Sequence, residues 1–455
     1  MRSKSLALFL AVGWALSPFL PAKEPGSTWK IPVESKTLLN GLTVVVSEDH
    51  SSPTVGVSVV YRVGFRLEPK GRTGFAHLFE HLMFEGTPNA PKGTFNRVIQ
   101  GGGGIHNGST RYDFTNFIES APVSALEPIL WLEADRMKTL DFSPKNLRNQ
   151  QEVVKEEIRV NVKNQPYAGF YWLDLSQKAF DRWENNHDGY GSFEDLDRAS
   201  LADAEAFHKA YYGPNNAVLS IAGDVKPGDV FALVDKYFAG IPSRSKPPLP
   251  DVKEGLLTAE RRVQQQDPLV LTPGLAVGWH MPERGTRDHA PAAVLAEMLT
   301  GGDASRFYQG LVKGKEILLN VNGGINWPLA SVWDFDGPTL FTIFALYKPN
   351  ADADKVLAAL DEEIGSVVKT GVHQDEMERT KTKMLSAFYD QMESFLNRAD
   401  ALAKAQAIWG KASMVNEFPA LIESVEAADL QRVASTYLLK TNRTVIDRKP
   451  ASSAK

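Results

Sequence analysis

The sequence predicts an α+β protein built from two similar halves. Three observations lead there. Runs rich in β-branched residues, such as Val55-Gly56-Val57-Ser58-Val59-Val60, alternate with segments of helical periodicity. A loosely similar element order returns after residue 255, as an internal duplication would produce. The chain has 455 residues, more than one ordinary core accommodates. Between the halves lies Pro242-Ser243-Arg244-Ser245-Lys246-Pro247-Pro248-Leu249-Pro250, polar and proline-rich as a semi-rigid linker is. The expected layout is a leader over 1–22, one domain over 30–241, a linker over 242–255 and a second domain over 256–448.

The leader comes first. Arg2 and Lys4 precede the apolar run Leu6 to Val12, which ends near Pro18 and Pro21. A basic start followed by a short apolar run is the pattern of a secretory signal peptide, cleaved after Ser17 or Ala22, and the run is too short to favour a membrane span. The chain has no cysteine, which excludes disulfides, thiolate metal sites, a cysteine nucleophile and a lipid-modified cysteine. A net charge of -5 with no long run of like charges gives no nucleic-acid footprint. The expectation is an exported, bacterial periplasmic protein without a stable membrane span once the leader is removed.

From Lys36 the pattern is β. Thr37-Leu38-Leu39 and Leu42 to Val46 flank Asn40-Gly41, a strong hairpin signal. Val55 to Val63 reads as a strand stopped by Gly64, and a helix follows Gly74. Phe95 to Gln100 reads as a short helix ended by Gly101 to Gly104. Ile105 to Ile118 reads as two strands joined by a turn. Pro122 to Leu140 has helical periodicity through Leu126, Leu130 and Ala134. A further helix starts at Ser143 as N-cap with Pro144 at its first position, and runs through Val153 to Arg159. Leu201 to Tyr212 reads as a helix and Ala217 to Gly223 as a buried strand. In the second half strands are expected at Leu269 to Leu271, Leu275 to Trp279 and Leu340 to Leu346, with helices over Ala290 to Leu299, 351–369 and 374–390.

The chemistry concentrates at His77-Leu78-Phe79-Glu80-His81. On a helix, His77 and His81 stand one turn apart on one face with Glu80 beside them. Two imidazoles so placed can bind one zinc ion and leave room for a third ligand and a water, whose proton a nearby carboxylate can take. Without cysteine the third ligand has to be His, Asp or Glu. Glu156 and Glu157 are the candidates, and because adjacent helical residues point about 100° apart, only one of them can face the metal.

This stretch, with a glutamate about 75 residues on within Val153-Val154-Lys155-Glu156-Glu157, resembles the inverted zinc motif of the M16 metallopeptidases, the family of insulysin, pitrilysin and the mitochondrial processing peptidase. The resemblance extends over Gly101 to Thr115, Trp131 to Met137, Tyr211 to Ala217, Ala222-Gly223-Asp224 and Phe307-Tyr308. It implies two domains of the M16 type, each a mainly antiparallel sheet packed by helices, with the metal site in the first alone. It makes His77, His81 and Glu157 the ligands of one Zn2+ per chain and Glu80 the general base. It also makes Asn107 a substrate-binding residue on an edge strand onto which an extended peptide is added.

The implied activity is a zinc endopeptidase acting on peptides or unfolded segments. The alternatives are a non-catalytic structural or chaperone subunit, and a metal hydrolase with a non-peptide substrate. Two departures stand out. Gln150 occupies the position, seven before the glutamate ligand, where many members carry a glutamate. Val312 and Leu319 occupy those where active members carry an arginine and a tyrosine. A chain so equipped resembles the catalytic half of a two-subunit peptidase, so the expected partners are a peptide and a homologous second chain or a second copy.

Overall fold

Strands whose successive residues are all apolar need cover on both faces, and two sheets of this protein obtain it from each other's half. A computed structural model describes residues 29–451; the expected leader over 1–22 lies outside the described residues. The first sheet is made of β1 (Glu34–Thr37), β2 (Thr43–Glu48), β3 (Thr54–Tyr61), β4 (Ile105–Thr110), β5 (Thr115–Pro122) and β6 (Ala217–Gly223), in the order β1-β2-β6-β3-β5-β4. The second contains β7 (Arg261–Asp267), β8 (Gly274–His280), β9 (Leu318–Ile325), β10 (Leu340–Tyr347) and β11 (Arg443–Pro450), in the order β7-β11-β8-β10-β9.

Setting β1 aside, the two orders are the same, strand for strand. In both, the first and last strands of the half pair in parallel, β2 with β6 and β7 with β11, and every other pair is antiparallel. A repeated topology is what a duplication leaves after sequence identity has faded.

Val44, Val46, Val57, Val59 and Ile221 face the helices of their own half. Val45, Val60 and Val218 face the other way, into the core of the C-terminal half. The Phe395–Trp409 helix, from the second half, packs on β3 and β6 of the first sheet. Gly56 is what permits its approach: a Cβ there would lie 2.4 Å from the backbone of Leu396. Asp400 on that helix accepts hydrogen bonds from Ser58 at 2.9 Å and Asn116 at 2.8 Å. The exchange is reciprocal. Phe170, Leu175, Ala179 and Phe180 of the first half pack against Ala276, Leu340 and Ile446 of the second sheet. From Ile31 onward the chain is therefore one unit, and among the described residues no helix is long and apolar enough to cross a membrane.

The expected hairpin forms at Asn40-Gly41, with Gly41 at φ +88°. One expected strand does not form. Leu269 to Leu271 is a loop with Leu271 wholly exposed, and the strand is the polar Arg261–Asp267 just before it. As an edge strand with the single partner β11, it needs no apolar run.

Candidate metal centre

The site is built on strand β4 and on the first and last of the helices α1 (Phe75–Leu82), α2 (Thr94–Gly101), α3 (Leu126–Lys138) and α4 (Pro144–Ile158). α1 buries Phe75, Ala76, Leu78, Phe79 and Leu82, which fixes its rotation and leaves His77 and His81 on the face toward α4. Its N-terminus is secured by a distant carboxylate. Glu68 accepts from the backbone N–H groups of Gly74 at 2.9 Å and Ala76 at 2.8 Å, and from Nε2 of His187 at 3.0 Å. Gly74 has φ +79°, and a Cβ there would sit 2.5 Å from the carbonyl oxygen of Tyr190. α4 begins as expected, with the Ser143 hydroxyl accepting from Asn146 N–H at 3.2 Å and Pro144 in the first turn.

The facing question on α4 has a geometric answer. Glu156 points outward and pairs with Arg159 at 3.0 Å. Glu157 turns inward, its Oε2 3.3 Å from His81 Nε2 and 3.7 Å from His77 Nε2, and the two Nε2 atoms are 3.3 Å apart. In a tetrahedral zinc site with bonds of about 2.0–2.1 Å, ligand atoms stand roughly 3.3–3.4 Å from one another. The three groups fit such an ion, and among the described residues theirs is the cluster of this kind.

The surroundings tune these groups. His77 is buried, and burial with the adjacent His81 brings it down to about 4; its Nδ1 has no hydrogen-bond partner among the described residues. His81 feels burial too, but the hydrogen bond and charge of Glu157 and the charge of Glu80 raise it above its ordinary value. Glu157 is held down at about 2, chiefly by the hydrogen bond from His81. Gln150 adds a small upward influence on His81, where a carboxylate at that position would also have added charge.

Glu80 sits beside the cluster, with burial raising its pKa. The Thr110 hydroxyl donates to its Oε2 at 2.6 Å. Gly108 on β4 gives it room, because a Cβ there would meet Glu80 Cγ at 3.0 Å and Oε1 at 3.2 Å.

Two groups joined the site that sequence reasoning missed. Tyr190 donates its hydroxyl to Glu157 Oε1 at 3.2 Å and places its ring 4.8 Å from that of His77. It comes from a stretch of short turns between Gly189 and Gly191, where no periodicity marks it. Arg111, next to Thr110, acts electrostatically on Glu80, His77 and Tyr190. Its guanidinium donates to the Thr110 carbonyl at 2.8 Å. Asn107 lies on β4, the outer strand of the first sheet, exposed and in regular register with Ile118, its side chain accepting from Gly108 N–H at 2.9 Å. It is neither in a bulge nor in the metal cluster. His106 is packed against Phe84 and Phe95 and is not part of the cluster. Val312 is packed against the C-terminal core, and Leu319 is half-exposed on β9.

Two family models match the chain. "Insulinase (Peptidase family M16)" matches residues 43–174, and "Peptidase M16 inactive domain" matches residues 198–384. Zinc protease PqqE of Helicobacter pylori is 26% identical over 453 residues, covering 99% of this chain and 100% of the relative. The crystal structure of a protease from Helicobacter pylori superposes with TM-score 0.86 at 25% identity, over 93% of this chain and 100% of that one. The periplasmic protease PqqL of Escherichia coli shares the fold, with TM-score 0.73 at 14% identity. That alignment takes in 93% of this chain but 48% of PqqL.

Proposed function

The chain belongs to the M16 peptidase family, and from that premise we propose that it is a zinc-dependent endopeptidase cleaving peptides or unfolded segments. The observation that carries this reading is the triangle of 3.3, 3.3 and 3.7 Å among His77, His81 and Glu157 with Glu80 beside it. Names of relatives that include "zinc protease" support it. The match to an inactive domain falls on residues 198–384, apart from these four residues.

In this reading His77, His81 and Glu157 hold one Zn2+, which when bound supplies Lewis acidity and makes a water acidic near neutral pH. Glu80 accepts the proton of the attacking water. Its burial-raised basicity suits it to pass that proton to the leaving amine. The Thr110 hydroxyl fixes the carboxylate for both transfers. The Arg111 guanidinium, with N–H groups beyond the one given to the Thr110 carbonyl, is a donor available to the charge that develops on the carbonyl oxygen, while the Tyr190 hydroxyl stays committed to Glu157. The substrate adds as a strand along the free edge of β4, where Asn107 contacts its backbone and sequence-independent pairing supplies affinity.

The catalytic domain is residues 30–241, joined by the 242–255 linker to a metal-free domain over 256–448. A second M16-like unit, as a homologous chain or a second copy, closes over the substrate; a relative in fold about twice as long supports this. The leader directs the chain to the periplasm. Zinc stoichiometry combined with cleavage of a quenched peptide library tests the function. One zinc with cleavage supports it, whereas zinc without cleavage, alone and with a homologous chain co-expressed, indicates a non-catalytic or non-peptide role.

A further inference from the structure

A second cavity, of about 480 Å³, shares no lining residue with the metal cluster. Its walls come from the end of β3 and the β4–β5 turn, from the linker, and from the C-terminal half. Four cations and two carboxylates line it. Arg66 pairs with Asp113 and Arg284 with Asp336. That leaves Arg62 and Lys246 at the cavity mouth, neither in an ion pair among the described residues. Arg62 gives one N–H to the carbonyl of Gln406 at 3.3 Å, and burial, with the charge of Arg62 added, depresses the Lys246 ammonium. Arg284, on the same wall, stacks over the Trp409 ring at 4.8 Å, and its Nε is buried with no acceptor among the described residues.

The cavity thus carries two positive charges outside any ion pair among the described residues, with the Asp336 carboxylate acting on Arg62 only from a distance, an arrangement that suits an anion. Much of the rest of the wall is apolar, Leu67, Phe114, Leu249, Ile408 and Trp409 among it, with Asn216 and two tyrosines as its other polar groups. A fully hydrated inorganic ion would leave that surface uncovered, and the volume falls in the range of small-molecule sites. We infer that this cavity binds a carboxylate bearing an apolar or aromatic group, the carboxylate between Arg62 and Lys246 and the apolar part against Trp409 and Leu249. Two sources offer that chemistry: the C-terminal end of a short peptide, and a free fatty acid.

The test uses the full chain carrying Glu80→Gln, so that hydrolysis cannot consume the probe and the outcome does not depend on the metal-site reading. Binding of amino-terminally fluorescein-labelled Ala-Ala-Ala-Phe with a free carboxyl group is followed by anisotropy, beside the same peptide as its C-terminal amide and with decanoate as competitor. The expected result is saturable binding of the acid, at least tenfold weaker binding of the amide, and at least tenfold weaker binding of the acid to the chain that also carries Arg62→Gln and Lys246→Gln. Both substitutions are at exposed positions, and an unchanged melting temperature of this variant checks that its fold is intact. Displacement by decanoate at lower concentration than by unlabelled peptide acid assigns the site to free acids, and the reverse order assigns it to peptide ends. Equal affinity for acid and amide, binding indifferent to loss of the two cations, or no binding of either carboxylate at millimolar concentration overturns the inference.

Discussion

Tyr190 and Glu157 share a hydrogen bond of 3.2 Å that commits one carboxylate oxygen, Oε1, to the phenol and leaves Oε2 facing both histidines. The phenol thereby selects which oxygen is offered to a metal. Groups that orient metal ligands in this way are worth about 10–100-fold in affinity. Tyr190→Phe should weaken zinc binding by about tenfold, measured by competition with a chromogenic chelator. Unchanged affinity would assign the tyrosine a packing role against His77.

The two neighbouring glutamates should separate cleanly. Glu157→Gln removes a charged ligand and should abolish stoichiometric zinc binding. Glu156→Gln, which loses an exposed pair with Arg159, should bind zinc and melt as the parent does, since such pairs contribute about 0–1 kcal/mol. Metal analysis of the two purified variants decides the matter, and the reverse pattern would mean that α4 is rotated.

Zinc affinity should depend on pH in two stages. Binding needs both imidazoles neutral and the carboxylate ionised. His81 is raised above its ordinary 6.5, so below that raised value one proton must leave it, and affinity should fall about tenfold per pH unit. His77 adds a second proton only below about 4, and Glu157 remains ionised down to about 2. Calorimetry in buffers of different ionisation enthalpy should therefore detect close to one proton released at pH 6, from His81, before ionisation of the metal-bound water contributes at higher pH. Two protons released at pH 6 would contradict these assignments.

Gly108 provides a test of the general base that leaves the ligands untouched. A methyl group there meets the Glu80 side chain at 3.0–3.2 Å, tight enough to displace it. Gly108→Ala should retain zinc and lower kcat, by less than the roughly 10²-fold that a misplacement of about 1 Å costs, because the Glu80 side chain has to give only a little. Full activity in steady-state assays would show that Glu80 can give way without consequence.

Much of this site was legible because helical spacing is a local property. His77, Glu80 and His81 declare themselves by their intervals, and Ser143-Pro144 declares the start of α4. The choice of Glu157 over Glu156 first rested on a resemblance and now has a facing argument. Tyr190 was invisible, since it reaches the site through turns between glycines. Its role depends on where Gly74 and Glu68 dock α1. In the fold, the loose repeat of element order was legible, whereas the strand order within each sheet was not read from the sequence, and hydrophobicity misled at β7. The strand there is Arg261–Asp267, polar because it is an edge, while the apolar Leu269 to Leu271 is exposed. The Phe395–Trp409 helix was missed as well. Its alanine-rich sequence is buried between its own half and the first sheet, so it lacks the single apolar stripe that periodicity detects.

The most direct measurement is peptide hydrolysis by the Glu80→Gln chain with its zinc content determined on the same sample. The amide keeps the shape and the hydrogen bond from Thr110 but cannot accept the water's proton. One zinc per chain should be retained, and turnover of a quenched peptide should fall by several orders of magnitude, about 10²–10⁴-fold or more. Hydrolysis at the parent rate with zinc bound would contradict the assignment of Glu80 as the base.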